Sequence, residues 1–168
     1  AIHGGGFAGG DRQELDGLIA QLAGRGYVAA TVDYRLAPRS QFPAALQDVK
    51  AAVRFLRANA TKYAIDPDRI GVVGVSAGAH LALMLGLTPG FADFEGGGNR
   101  EQSSRVQCVV SMAGPTALAR AYASSDAAAT ALSPFLGGDP ANTAAAYILA
   151  SPVSWVTPQA PPMLLIHG

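Results

Sequence analysis

The sequence has little of several features that mark particular classes of protein. Basic and acidic residues number 12 each, so the formal net charge is zero, and no basic cluster suggests a nucleic acid or an anionic membrane as partner. No apolar run approaches the roughly 20 residues of a membrane-spanning helix. The only cysteine, Cys108, cannot form an internal disulfide, and its apolar surroundings (106–112) predict a buried thiol. No histidine, cysteine and aspartate cluster has metal-ligand spacing, so the sequence implies no metal and no cofactor.

What the chain does contain is a G-x-S-x-G pattern formed by Gly74, Ser76 and Gly78. An apolar, β-branched run (70–75) precedes the serine, and a helical run (77–87) follows it. This is the context of a nucleophile elbow, in which a strained turn pushes a serine hydroxyl clear of a sheet. The two glycines are expected where the helix turns back over the strand and a Cβ would clash. The pattern predicts that Ser76 is a nucleophile; the alternative is an ordinary strand-to-helix turn.

A second glycine-rich segment, His3-Gly4-Gly5-Gly6-Phe7, follows what we predict to be the first strand. Acyl transfer passes through a tetrahedral intermediate with a negatively charged oxygen, which backbone N–H groups stabilise. A glycine run lets the backbone approach that oxygen closely, and the N–H of Ala77, at the start of the following helix, is expected to be a further donor.

The same segment also satisfies the G-x-G-x-x-G pattern of dinucleotide-binding sites (residues 4–9), with Asp33 at the end of the next predicted strand. That hypothesis leaves both His3 and the Ser76 pattern unexplained. Binding of a nicotinamide or flavin would distinguish the two interpretations.

Strand and helix signals alternate along the chain, which predicts a mostly parallel sheet covered by helices on both faces. Strands are expected at 27–33, 70–75, 106–112 and after Pro161-Pro162, and helices at 11–23, 43–60 and 77–87, with a loop at 91–104. Short helices are expected over 118–150, separated by turns at Ser133-Pro134 and 137–140. The inward face of the second helix is predicted to carry Leu46, Val49, Val53, Phe55 and Leu56.

Together with both glycine motifs, three further segments resemble the α/β-hydrolase esterases of the hormone-sensitive-lipase-like group. Within that group they are most similar to the subfamily named for bifunctional feruloyl and acetyl-xylan esterases. The segments are Asp33-Tyr34-Arg35-Leu36-Ala37-Pro38, Phe42-Pro43-Ala44 and Asp66-Pro67-Asp68-Arg69-Ile70. The resemblance implies an α/β-hydrolase fold, Ser76 as nucleophile, and an oxyanion hole made by Gly5, Gly6 and Ala77. It also implies that His3 shapes the oxyanion loop without titrating in the reaction.

In the family that the chain resembles, an acidic residue follows the strand that ends in His-Gly, here His167-Gly168, and the catalytic histidine comes later. We therefore expect residues 1–168 to be the central part of a single α/β-hydrolase domain, truncated at both ends and lacking both residues. The family often has an aspartate after Gly-Pro-Thr, where this chain has Ala117. The compartment and the oligomeric state stay open.

The histidines and carboxylates that are present receive structural assignments. His80 lies four residues after Ser76 on the same predicted helix, which is a poor position for a general base, so we expect it to be packed and hydrogen-bonded. Asp33 and Asp48 are expected to hold loops or to pair with Arg35 or Arg54. Tyr34-Arg35 is expected to anchor the loops of the site from below.

The sequence therefore predicts a serine carboxylesterase that forms an acyl-enzyme and acts on small acyl or carbohydrate-linked esters. Two alternatives remain: a non-catalytic member of the same fold that binds a small molecule, and an amide or formamide hydrolase. The segments 91–104 and 117–150 are candidates for lining the pocket.

Overall fold

Three parallel strands form the sheet in a computed structural model that describes residues 1–167 of the chain. The strands are β1 (Gly71–Val75), β2 (Cys108–Met112) and β3 (Met163–Ile166), in that spatial order. Gly71 pairs with Cys108, and Val109 pairs with Met163. Since parallel neighbours need crossover connections, the intervening chain folds into helices, as the alternating pattern predicts.

Residues 1–167 contain eight α-helices. They are α1 (Asp16–Ala23), α2 (Ala44–Ala58), α3 (Ala60–Tyr63), α4 (Ala77–Leu87), α5 (Ala92–Glu95), α6 (Leu118–Ser124), α7 (Asp126–Leu136) and α8 (Ala144–Leu149). Two short 3-10 helices cover Arg12–Leu15 and Pro152–Trp155. Asp11 caps the first of these through Gln13 N, which confirms that the helical segment begins there.

Helix α4 is the centre of the core. All eleven of its residues are buried, and it packs against β1, β2 and α2. Its sequence is apolar on every side apart from His80, which suits a helix enclosed by sheet and helices and explains why it shows no amphipathic pattern. The helix begins at the residue after Ser76, so burial of α4 fixes the serine relative to the sheet.

The first strand of the sequence prediction is present only as a single buried residue. Ile2 lies between β1 and Val32, donating its N–H to Val73 O at 2.9 Å and accepting from Val75 N at 3.2 Å. The strand predicted at 27–33 is wrong in extent, because only Val32 makes a bridge and Tyr27 is 65% exposed. An apolar, β-branched run forms a strand only where a neighbour offers paired N–H and C=O groups.

Four smaller predictions need correction. Cys108 is exposed because it is the first residue of β2, where alternation turns Val109 inward instead. Phe55 is 46% exposed, since it lies off the face of α2 that carries Val49 and Val53. Pro134 lies inside α7, near a C-terminus that ends at Gly137 with φ 83°. The loop at 91–104 contains the short helix α5.

Candidate active site

Ser76 occupies the sharp turn between β1 and α4. Its backbone has φ 53° and ψ −117°, a conformation that costs an L-residue on the order of 1–3 kcal/mol and that the surrounding structure must impose. Its N–H donates to Met112 O of the neighbouring strand at 2.8 Å, and its carbonyl accepts from His80 N at 3.1 Å. The residue itself is exposed. The turn therefore has the geometry expected of a nucleophile elbow.

The glycines on either side of the serine have no room for a side chain. A Cβ on Gly74 would lie 2.2 Å from Gly78 O, and a Cβ on Gly78 would lie 2.2 Å from Ile2 O and 2.3 Å from His3 O. These contacts are with backbone, which cannot swing aside, so the close approach of β1, α4 and the N-terminal segment requires glycine at both positions.

The N-terminal glycine loop, residues 4–9, lies against this elbow. A Cβ on Gly4 would lie 3.4 Å from the Ser76 Cβ. Gly5 has φ 103° and Gly6 has φ 59°, and the turn is closed by Ala8 N and Gly9 N, which both donate to Gly5 O. The structure thus brings the two sequence motifs together across the end of β1.

The backbone N–H groups of Gly5, Gly6 and Ala77 make no hydrogen bond within residues 1–167. Unpaired N–H groups next to an exposed serine are available to a ligand oxygen. The Ala77 N–H also lies at the positive end of the α4 dipole, which favours a negative charge there.

A buried tyrosine holds the loop from below. The Tyr34 hydroxyl lies 3.0 Å from both His3 O and Gly4 O and donates its hydrogen between them, and burial raises its pKa. The His3 ring stacks on Tyr34 with centroids 4.3 Å apart, and its Nδ1 donates to Gly4 O at 2.8 Å. The expectation that Tyr34 anchors the site loops is confirmed by these contacts.

Phe7 anchors the glycine loop at the end of its glycine run, a role that the sequence motif did not predict. It has φ 64° and is buried, and its carbonyl accepts from Ala37 N at 2.8 Å. Its ring stacks on Phe135 of α7, with centroids 3.8 Å apart and planes 7° from parallel. In the sequence, the one sign of this anchor is an aromatic residue directly after the glycines. Its partner Phe135 is too distant in sequence to be recognised from the motif.

His80 is packed as predicted. It is fully buried, and since Ala150 O can only accept, His80 Nε2 carries the hydrogen in their 2.7 Å hydrogen bond. Burial lowers the pKa of the imidazole to about 4, so the ring is neutral near pH 7. Its Nδ1 is buried and has no hydrogen-bond partner within residues 1–167, and the imidazole ring packs in T-shaped geometry against Phe7 and Phe135.

The carboxylates near the loop form ion pairs. Asp48 pairs with Arg35 at 2.9 Å, as expected, whereas Asp33 pairs with Arg12 at 2.6 Å and not with Arg35 or Arg54. Arg12 also donates its backbone N–H to Asp33, and these bonds hold the Asp33 pKa below its usual value. With Asp33 so engaged and the glycine loop facing Ser76, the geometry does not favour a dinucleotide site.

The carboxyl ends of β2 and β3 open onto a cavity of about 510 Å³. Its lining includes Gly114, Thr116, Arg120, Val153 and His167. Among the described residues, no group of three or more histidine, cysteine or acidic side chains is placed to hold a metal ion. Of the helices in residues 1–167, none combines the length and apolarity needed to span a membrane.

Comparison with known proteins places this geometry in a family. The BD-FAE family model matches residues 1–168. The probable carboxylic ester hydrolase LipM of Mycobacterium tuberculosis is 33% identical over 173 residues, covering 99% of this chain and 39% of LipM. A truncated carbohydrate esterase from gut microbiota is 33% identical with a TM-score of 0.91, covering 99% of this chain and 64% of that one. The structure of Thermogutta terrifontis esterase 2 phosphonylated by sarin is 27% identical with a TM-score of 0.82, and the match covers 99% of this chain and 59% of that one.

The chain therefore has the α/β-hydrolase fold, and it belongs to the BD-FAE family. The resemblance to α/β-hydrolase esterases inferred from the sequence motifs is confirmed. The chain spans 39% of the length of LipM and 59% of that of the Thermogutta esterase.

Proposed function

We propose that this chain carries the nucleophile and the oxyanion hole of a serine carboxylesterase. Ser76 attacks the ester carbonyl, and the negatively charged oxygen of the tetrahedral intermediate accepts hydrogen bonds from the N–H groups of Gly5, Gly6 and Ala77. The alcohol leaves, and water then hydrolyses the acyl-enzyme. The observation that carries the proposal is the exposed, strained Ser76 beside three N–H groups that have no partner within residues 1–167.

The remaining residues of the motifs have supporting roles. Gly74 and Gly78 let the strand and helix approach closely enough to form the elbow. His3 shapes the oxyanion loop through its bond to Gly4 O and its stack on Tyr34, and it takes no part in proton transfer. Each oxyanion donor is expected to contribute about 3 kcal/mol of transition-state stabilisation.

The general base comes from outside the described residues. No histidine in residues 1–167 makes a hydrogen bond to the Ser76 hydroxyl, and His80 is enclosed below the elbow with its one hydrogen donated to Ala150 O. We therefore assign the base, and the acid that orients it, to chain beyond residue 168. Residues 1–168 are in this proposal the central part of one α/β-hydrolase domain.

Two of the similar proteins support this chemistry. LipM is named a probable carboxylic ester hydrolase, and the Thermogutta esterase reacts with sarin, an electrophilic phosphonate that modifies enzyme nucleophiles. Similarity to a carbohydrate esterase from gut microbiota supports including carbohydrate-linked esters among the substrates. We propose small acyl esters, including carbohydrate-linked ones, as the substrate class, with no metal or cofactor in the reaction.

The test uses the complete natural chain that contains these residues, with p-nitrophenyl acetate as substrate. Ser76→Ala should lower kcat/KM by several orders of magnitude, up to about 10⁶-fold, and should abolish labelling by a fluorophosphonate. The matched control is Ser154→Ala, which removes an exposed hydroxyl that makes no hydrogen bond within residues 1–167. Ester hydrolysis that survives Ser76→Ala would overturn the proposal. Tight ester binding with neither turnover nor labelling would favour a non-catalytic binding protein.

A further inference from the structure

Helix α7 lies directly beside the oxyanion loop. A Cβ on Gly6 would be 3.4 Å from the Ala131 Cβ, which is ordinary van der Waals contact. One turn further along α7, Phe135 stacks on Phe7 with centroids 3.8 Å apart. Two successive turns of α7 therefore lie beside two successive residues of the loop. Among the described residues other than its chain neighbours, only Ala131 lies within 4 Å of the position that a Gly6 Cβ would occupy.

The two contacts differ in burial. Phe135 is 1% exposed and joins the core, whereas Ala131 is only partly buried. Residues four apart lie on the same face of a helix, so the face that Phe135 anchors carries Ala131 toward the open side of the loop. The side chain at position 131 thus borders the open space beside the Cα of Gly6.

The direction of the base decides which part of an ester would enter this space. The leaving alcohol must receive its proton from the base, so it points toward the base, and the acyl group points away from it. The proposed base belongs to the chain that follows β3, and β3 lies across β1 from Ile2, whose following loop α7 contacts. The base therefore approaches Ser76 from the side opposite α7. The acyl group then extends toward the walls that the described residues build, among which is α7.

We propose that Ala131 is a specificity-determining residue that sets the size of acyl group the site accepts. The inference rests on the proposed function, because it needs Gly6 to bind the oxyanion and Ser76 to be acylated. A methyl group at position 131 leaves room for an acyl chain beside Gly6, and a larger side chain fills that room.

The experiment compares p-nitrophenyl acetate with p-nitrophenyl hexanoate in the complete natural chain. Ala131→Leu should lower kcat/KM for the hexanoate at least about 10-fold relative to the acetate, since a single methylene in a hydrophobic pocket is worth roughly 10- to 200-fold. Ala131→Gly should shift the same ratio in the opposite direction. The matched control is Thr130→Leu, because Thr130 is exposed on the same helix.

The ratio separates a size limit from a structural disturbance. If Ala131→Leu merely displaced the loop, both esters would lose activity equally, and that result would overturn the inference. An unchanged ratio in both Ala131 variants would overturn it as well. In either case, loss of hydrolysis in Ser76→Ala would still support the proposed function. Failure of the role given to Ala131 can therefore be told apart from failure of the proposed function.

Discussion

His80 shows how strongly the elbow constrains a single side chain. It is the titratable residue that α4 places one turn from Ser76, yet it is enclosed by Phe7, Phe135 and the Ala150 carbonyl. Its Nδ1 lone pair has no partner among the described residues, which costs about 1–3 kcal/mol relative to a satisfied group. The charged ring would cost more, because burial opposes ionisation. His80 is therefore suited to holding α4 against α8, and unsuited to moving protons.

The buried imidazole predicts a pH dependence of stability. Its pKa is lowered from 6.5 to about 4 in the folded protein, so between these values the unfolded chain binds more protons than the folded one. The free energy of unfolding should therefore fall by about 3 kcal/mol as pH drops from 6.5 to 4 through this group alone. His80→Gln retains a donor for Ala150 O and does not titrate.

Urea unfolding of the complete chain at several pH values measures this effect. Subtracting the variant from the parent removes the contributions of all other groups. The difference in unfolding free energy should change by about 3 kcal/mol across that pH range. A difference that stays constant with pH would show that His80 titrates normally and is accessible to water.

At the residue scale, the sequence predicted what is encoded locally. Gly74 and Gly78 belong to a short sequence pattern that specifies the elbow. The need for glycine at both positions could therefore be predicted from the pattern. The hydrogen bond from His80 to Ala150 spans 70 residues, and the Phe7–Phe135 stack joins residues that are still further apart in the sequence. Such contacts depend on how helices pack, which no local pattern specifies.

At the scale of elements, a buried ion cluster joins α2 to α5. Lys50 and Arg54 of α2 are 0% and 1% exposed, and both pair with Glu95, at 2.9 Å and 2.7 Å. The carboxylate also accepts from Ser104 Oγ and Gly90 N. Burial would raise the pKa of Glu95, but the bonds from Lys50 and Ser104 outweigh it and the net shift is downward. One carboxylate thus ties two buried cations of α2 to the connection between α4 and β2.

Removing that charge should loosen the connection. In Glu95→Gln the buried Lys50 and Arg54 lose their shared counter-charge, and breaking one side of a buried pair costs about 3–5 kcal/mol. Asp93→Asn on the same short helix is the matched control, because Asp93 is exposed. Urea unfolding of the complete chain should show a large loss for Glu95→Gln and a change under about 0.5 kcal/mol for the control. Equal effects of the two substitutions would contradict the role given to the cluster.

Helices and strands were predictable where the hydrophobic pattern and the flanking glycine or proline residues indicated the same element. The predicted helix at 77–87 coincides with α4, because an uninterrupted apolar run follows a glycine turn. The segment 27–33 has strand-like composition, but only Val32 has a paired neighbour within residues 1–167. Helix α7 continues through Pro134 because the packing of Leu132 and Phe135 outweighs the local turn signal. Tertiary context decides such segments.

At the scale of the whole molecule, the proposed function assigns one half of a catalytic apparatus to the described residues. The sheet brings Ser76 to the carboxyl end of β1, and the N-terminal residues, the elbow and α7 converge there, as ligand sites in open parallel sheets do. The proposed nucleophile, the proposed oxyanion donors and the proposed acyl wall all lie within the described residues. A histidine aligned with the serine hydroxyl is not among residues 1–167.

This division predicts that the 168 residues by themselves are nearly inactive. A serine hydroxyl without a base is a weak nucleophile, and oxyanion donors alone leave only a residual acceleration of about 10³–10⁴ over water. The measurement is p-nitrophenyl acetate hydrolysis by the 168-residue chain and by the complete chain, each with its Ser76→Ala variant as blank. The complete chain should turn over at an ordinary enzymatic rate, roughly 1–10³ s⁻¹, and the shorter one far below it. Ser76-dependent turnover at that rate from the 168 residues alone would mean that a described residue acts as the base, and His167, at the rim of the cavity beside β3, would then be the histidine to substitute first.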